Sequence, residues 1–493
     1  MSELPIGWIE TELGNITEVQ SGVGFPKKYQ GVIDAEYPVY KVGDLSKAFV
    51  HSSGLLSKSD NYVSLDTLLL MKGKTFEVGS TLFAKIGEAL KLNRRVIVER
   101  PGIADNNVMG VKAFYNEADK YVYRYLQYFD VASLSRSTTV PSIRKSDVEE
   151  ITIPLPPLNE QIRIANKLDS ILAKVDKAQA RLDQIPAILK RFRQSVLAAA
   201  TSGALTKEWR EENPSQQLID LDELTSLKES LIKQKQVKKD LIVEKIDGEG
   251  LPDSWVTVNL GGLASKVTDG EHKTPKRAES GRFLLSARNV RDGRIDLSKV
   301  DYVGDEEFEK LRKRCDPNKG DILISCSGSV GRIALCDCDD EYVMVRSAAL
   351  VKTDLTEQNN TYLMYVLQSP RLQDIIVEKS KATAQSNLFL APIKELPIPL
   401  APVLEQSEVV RKVEALLAKA NKVEKQYLDA KARLDRLTQS ILAKAFRGEL
   451  VPQDPNDEPA DKLLECIVAE KELSKPKKIT RKRATKAKTS EKE

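Results

Sequence analysis

Histidine and cysteine are scarce: the 493 residues contain two histidines, His51 and His272, and five cysteines. Two isolated imidazoles cannot build a His-rich metal site, and histidine acid–base chemistry would rest on one residue alone. An odd and sparse cysteine count argues against a disulfide framework and fits a reducing compartment. Long apolar runs are missing too. None approaches the roughly 18 uninterrupted apolar residues of a membrane span, and Met1-Ser2-Glu3-Leu4-Pro5 offers neither a basic nor an apolar leader region. The expectation is a cytoplasmic protein without a membrane segment.

What is present points to size and charge. Hydrophobic residues make up 41% of the chain and charged residues 30%, enough for sizeable cores with more charge than the roughly 25% of an average domain. At roughly 150 residues per domain the length suggests about three domains, or two joined by long connectors. From Lys471 to Glu493 ten Lys/Arg face three Glu, a surplus of seven in a chain whose net charge is +4. Residues 1–470 therefore carry about −3, so nucleic-acid binding would need basic groups gathered on one face. The low-complexity basic tail reads as disordered from about residue 471.

An internal repeat settles the plan. Leu4-Pro5-Ile6-Gly7-Trp8 returns as Leu251-Pro252-Asp253-Ser254-Trp255, 247 residues later, and Leu13-Gly14 returns as Leu260-Gly261. Ile153–Gln161 answers Ile398–Gln406 at an offset of 245, as Gln194-Ser195-Val196-Leu197-Ala198 answers Gln439-Ser440-Ile441-Leu442-Ala443. Chance does not give a collinear series. The chain is a tandem duplication.

Each copy has a mixed α/β part and a helical part. Thr81–Ile86 and Asp321–Cys326 read as equivalent strands, after Gly79 and Gly320. Tyr121–Asp130 and Tyr362–Pro370 read as a shared helix, whose tyrosines belong to the core rather than to a base-stacking surface. In the second copy Val413, Leu416, Ala420, Val423, Tyr427, Ala430, Leu434, Leu437 and Ile441 step by threes and fours, a coiled-coil seam. The first copy traces nearly the same stripe from Ala165 to Val196, with Pro186 placed to kink the helix or split it. Taken whole, Leu158–Ala200 would span about 64 Å. The segments expected are 1–157 mixed, 158–205 helical, 206–249 a charged connector, 250–402 mixed, 403–448 helical and 449–493 a tail.

"IPLPPLNEQ" at 153–161, "LKRFRQSVLAAATSGALTKEWR" at 189–210 and "LTQSILAKAFRGEL" at 437–450 resemble the specificity subunits of type I restriction–modification systems, and "RLDQIPAILKRFRQ" and "AKAFRGEL" look like its IA branch. The likeness covers the duplicated plan from Leu4 to Leu450. It implies an α+β chain with two mixed α/β target recognition domains in tandem, separated by two long helices packed as an antiparallel coiled coil with a pseudo-two-fold axis. It also implies partners: double-stranded DNA, two modification subunits that methylate adenine, and two restriction subunits. S-adenosylmethionine, ATP and Mg2+ would sit on those partners and none of them on this chain. A homodimeric coiled coil is the competing structural reading. A self-contained methyltransferase or nuclease and a protein-only coiled-coil adaptor are the competing functions.

The missing motifs agree with a subunit that does no chemistry. There is no Asn-Pro-Pro-Phe-type tetrapeptide, since Asn213-Pro214-Ser215-Gln216 does not fit, and no Gly-x-x-x-x-Gly-Lys-Ser/Thr loop for ATP phosphates. Cys336-Asp337-Cys338 is weak as a metal motif. No catalytic or metal residue is assigned.

Base reading favours Arg or Lys on guanine and Asn or Gln on adenine, presented from loops and strand ends. The first copy offers Lys27 and Lys28 after a glycine-permitted turn, Lys41 at a strand end, Lys85, Lys91, Arg94 and Arg95, then Arg136 and Thr138. The second offers Lys273, Lys276 and Arg277, the pair Arg288 and Asn289, Ser327, Arg332, Lys381 and Gln385. A solvated surface explains each of these singly better than DNA does; as a set, at least half should line the DNA face. Asp105-Asn106-Asn107 fits a turn better than an adenine reader. His272 can reach a phosphate and has no visible partner as a base.

Overall fold

The computed structural model describes residues 4–135, 140–215, 217–353, 359–380 and 386–474. Five helices organise it: α1 (Leu158–Leu182), α2 (Ile185–Thr201), α3 (Leu221–Lys233), α4 (Val403–Phe446) and α5 (Ala460–Ser474). None of the described helices is long and apolar enough to cross a membrane. The helix expected over 158–200 is two helices. Pro186 has no N–H to donate, so it is tolerated only in the first turn of a helix, and α2 begins one residue before it. α4 lacks proline after its first turn and runs unbroken for 44 residues, about 66 Å.

Two compact units form, and neither follows chain order: one is Met1–Leu182 with Asp429–Glu493, the other Asp183–Leu428. The first therefore takes one mixed part with α1, α5 and the end of α4, and the second the other mixed part with α2, α3 and the start of α4.

In the first unit β1 (Thr17–Ser21), β2 (Thr81–Ala84), β3 (Val96–Val98) and β4 (Val108–Ala113) form an antiparallel sheet in the order β1-β4-β2-β3, with Leu55–Leu56 at its edge. In the second unit β5 (Lys266–Asp269), β6 (Ile322–Ser325), β7 (Ile333–Leu335) and β8 (Ala348–Lys352) repeat it as β5-β8-β6-β7. Thr81 faces Val111 as Ile322 faces Val351, so the true register sets Ser80, not Thr81, against Asp321. A smaller sheet repeats likewise: Tyr37–Tyr40 runs parallel to Ile103–Ala104, and Arg282–Leu285 parallel to Tyr342–Met344.

Strand alternation explains why the central strands are apolar throughout. Successive side chains leave a strand on opposite faces. Ile322 and Ile324 therefore enter the core shared with the helix Asn360–Gln368, α2 and the start of α4, while Leu323 joins Leu285, Tyr342 and Met344 on the other side. In the first unit Phe83 and Leu82 divide in the same way. The expected core tyrosines are buried, with Tyr121 donating to Pro154 O at 2.6 Å and Tyr362 to Pro399 O at 2.7 Å.

The Glu-Gln pairs of the repeated motif are buried where strand gives way to long helix. Gln161 donates to Pro156 O and Gln406 to Ala401 O, tying each helix start to the strand before it. In the second unit the long helices run antiparallel: Arg193 bonds Asn421 and Glu424, whereas Thr206 and Arg210, farther along the chain, bond Glu405. The seam is buried at Val413 and Ala420 but open at Val423 and Leu437.

Segment 206–249, expected to connect, is instead part of the second core: Leu224, Val237 and Leu241 pack into it and Lys228 is buried. Residues 460–474, expected to belong to a tail, are instead a helix. α5 continues to Ser474, and Lys471 stacks on Phe114 and donates to Gly14 O and Asn15 O. Residues 475–493 lie outside the described residues.

Candidate nucleic-acid interface

In both units the loops leaving one end of the main sheet are drawn together by the same contacts. Lys85 N donates to Asn107 O at 2.9 Å, and Cys326 N to Ser347 O at 2.8 Å. Ile143 N reaches Lys85 O as Leu388 N reaches Cys326 O. Short parallel bridges join Val23 to Asp105 and Glu271 to Val345. These backbone ties do not depend on side-chain identity, so the frame is constant and its exposed side chains are free to differ.

Glycine makes the closest approach possible. A Cβ on Gly22 would lie 1.9 Å from Asp105 O, and one on Gly270 2.2 Å from Met344 O. The glycine-permitted turn seen in the sequence is thus a packing requirement against the turn that follows the small sheet.

On the first unit's frame, Lys27 and Lys28 are exposed in the loop beyond Gly22, and Lys28 stacks on Tyr29. Lys41 reaches Gln30 Oε1 at 3.3 Å and lies over Phe25, while Lys85 is half-buried at the junction itself. Asp105-Asn106-Asn107 forms a turn that leaves the Asn106 side chain exposed: Asp105 Oδ1 accepts from Asn107 N at 3.0 Å and its carbonyl from Val108 N. Lys91 is exposed and paired with Glu88, and Arg94 stacks on Phe49, two helical turns along from Lys41.

Arg95, expected at the interface, is internal. It is 1% exposed, donates to Leu126 O and Arg94 O, and lies over Phe83. Burial holds its pKa below the ordinary guanidinium value, and its charge is spent inside the fold. Asn289 is a second correction. Its side chain is also 1% exposed and closes a turn, accepting from Ser286 N and donating to Asp296 O. Asp44 does the same work after Lys41, its Oδ2 accepting from Lys41 N at 2.8 Å.

The second unit gathers more of its candidates. Lys273 and Lys276 are exposed, and Arg288 and Arg277 share Asp301, at 2.7 and 3.4 Å. Exposed ion pairs of this kind are weak, so phosphate can take either arginine. Ser327 bridges Asn387 at the rim of a cleft of about 600 Å³ that is also lined by His272, Arg346 and Ser347. Arg332 is half-buried beside Ser325, whose Oγ accepts its backbone N–H. Arg136, Thr138, Lys381 and Gln385 lie outside the described residues.

His272 has partners after all: its Nε2 is 2.7 Å from Asp269 Oδ2 and 3.0 Å from an Arg314 nitrogen. Burial alone would raise the Asp269 carboxyl, but hydrogen bonds from Arg314 and His272 overcome it and hold the pKa below the usual carboxylate range. Arg346, Asn387 and Arg314 were missed in the sequence. Aligning strands β4 and β8 would have found Arg346, because it takes the place in the second unit that Asn106 takes in the first. Cys336 packs in the second small core, and Asp337 accepts a hydrogen bond from Tyr342.

Comparison with known proteins agrees with this geometry. The family model for the type I restriction modification DNA specificity domain matches residues 5–187 and 252–430. The specificity subunit of the EcoKI type I restriction enzyme from Escherichia coli strain K12 is 30% identical, over 98% of this chain and 99% of its own. That of EcoBI, also from Escherichia coli, is 33% identical over 79% of this chain and 80% of its own. A solved structure from work on assembly and conformational transition of the type I R-M system matches with a TM-score of 0.63 at 18% identity, covering 91% of this chain and 100% of that one. That likeness is one of fold. This chain belongs to the family of type I restriction–modification DNA specificity subunits.

Proposed function

We propose that the chain reads an asymmetric, bipartite site in double-stranded DNA, one half-site through the loop frame of each unit, and holds that site for partners that perform the chemistry. One observation carries the reading: the two units share strand order and register but present different exposed side chains on the same frame. Lysines and arginines on phosphates supply affinity and its salt dependence, and a few side chains at base edges supply sequence. The exposed candidates Lys27, Lys28, Lys273, Lys276, Arg277 and Arg288 serve the first task.

On this reading two modification subunits, binding S-adenosylmethionine, extrude and methylate adenine. Two restriction subunits, using ATP and Mg2+, add cleavage. This chain contributes placement and no catalytic group, in the cytoplasm where the DNA lies. The test is methylated-base mapping of DNA exposed to the chain with its modification partners, alongside the purified chain incubated with labelled methyl donor. A split motif containing N6-methyladenine, and no label transfer by the chain alone, is expected. Label transfer by the chain alone would make it an enzyme, and sequence-indifferent binding with partners present would make it a protein adaptor.

A further inference from the structure

Asn106 and Arg346 occupy one position in the duplicated frame. Ala84 pairs with Val108 and Ser325 with Ala348, so counting back two residues from each partner reaches Asn106 and Arg346. The residues that follow them, Asn107 and Ser347, offer the carbonyls that receive Lys85 N and Cys326 N. The residues that precede them, Asp105 and Val345, form the parallel bridges to Val23 and Glu271. Each is thus the tip of a turn pinned on both sides, and each is exposed.

The pinning is tight. Asp105 is 6% exposed and its carboxylate holds Asn107 N. In the second unit Arg346 N donates to Glu271 O at 3.1 Å, and Ser347 Oγ accepts from Ala287 N at 3.0 Å. Little backbone entropy then remains to be lost when the tip side chain engages a ligand. Among the described residues no carboxylate pairs with the Arg346 guanidinium, although carboxylates take Arg277, Arg288 and Arg314 in the same unit. No described residue bonds the Asn106 side-chain amide. Arg346 lines the open cleft with Ser327 and Asn387.

We infer that this tip is the specificity-determining position of each unit: Arg346 reads a guanine in one half-site and Asn106 an adenine in the other. The chemistry follows from donor geometry. A guanidinium fork donates twice to guanine O6 and N7, and a carboxamide donates to adenine N7 while accepting from N6. A lysine on a phosphate gives no such choice between bases. The inference rests on the proposed reading of DNA by both units.

The experiment uses the full chain assembled with its modification subunits and selects bound duplexes from a library randomised over both half-sites. If the unsubstituted complex selects no split motif, the proposed function itself fails. With that motif in hand, Arg346→Ala should reduce the preference for guanine at one position by tenfold or more, leaving the other half-site intact as the internal control for folding. Arg346→Asn should move the preference at that position toward adenine. Asn106→Arg should move an adenine position in the opposite half-site toward guanine. Uniform weakening on all sequences by Arg346→Ala, with a salt slope reduced by about one, would assign Arg346 to a phosphate and overturn the inference. An unchanged motif would overturn it equally. If Arg346→Ala abolished binding, Arg346→Lys would decide: binding with one relaxed position supports the inference, and no binding overturns it.

Discussion

Lys228 in the second unit and Lys471 in the first have the same job: each donates to carbonyls at the short helix that precedes the main sheet, Leu260–Leu263 before β5 and Leu13–Ile16 before β1, Lys228 to Gly261 O and Ala264 O, Lys471 to Gly14 O and Asn15 O. Leu224 and Ile467, four residues earlier in each helix, are both buried. The supposed connector and the start of the supposed tail are therefore copies of one docking helix, and the duplication extends past Leu450 to Lys471.

The two lysines should differ in cost when removed. Lys228 is 1% exposed, whereas Lys471 is half-buried. Lys228→Met should destabilise the second unit by about 2–3 kcal/mol, the upper part of the roughly 1.5–3 kcal/mol typical of hydrogen bonds from a charged donor, and Lys471→Met the first by about 1 kcal/mol. Amide hydrogen exchange at residues 260–264 and 13–16 would measure each locally. Equal effects would show that burial does not set the difference.

The repeated tryptophans should also part company. Trp8 Nε1 donates to Glu160 Oε2 at 3.0 Å inside the core, whereas Trp255 Nε1 finds no acceptor among the described residues and Glu405 bonds Thr206 and Arg210 instead. Trp8→Phe should cost about 2 kcal/mol and Trp255→Phe less than about 1 kcal/mol. Burial raises the Glu160 pKa and the Trp8 hydrogen bond opposes that rise, so Trp8→Phe raises it further. A carboxyl with a raised folded pKa supports the fold below that pKa and loses this support as pH climbs through it. The Trp8→Phe deficit should accordingly be larger at pH 8 than at pH 5 by exchange measured over 152–160. A deficit that shrank toward pH 8 would contradict this.

Gly22→Ala and Gly270→Ala test the loop frame. Each added Cβ collides with a backbone carbonyl, an overpacking cost of about 1–3 kcal/mol borne by the loop rather than by the sheet. DNA affinity at the half-site read by the altered unit should fall while the other half-site is kept. Loss of both half-sites would mean global unfolding.

Charge should sort by burial. Lys27→Ala with Lys28→Ala should reduce the salt slope of DNA binding by about one to two with little change in stability. Arg95→Ala should leave the slope alone and destabilise the first unit, because its donors serve Leu126 O and Arg94 O. A salt-slope change from Arg95→Ala would restore it to the interface.

The sequence by itself determined the duplication, the apolar strands, the coiled-coil seam and the break near Pro186, because each is written in local periodicity or in proline's missing N–H. Tertiary structure alone decided that Arg95 and Asn289 are internal, that His272 meets Asp269 and Arg314, and that Lys228 and Lys471 pin equivalent helix ends. A charged residue's letter is the same on a surface and in a core. Which it occupies depends on residues far away in the chain: Arg95 is buried against Leu126, and Lys471 is half-buried with its ammonium on Gly14 O.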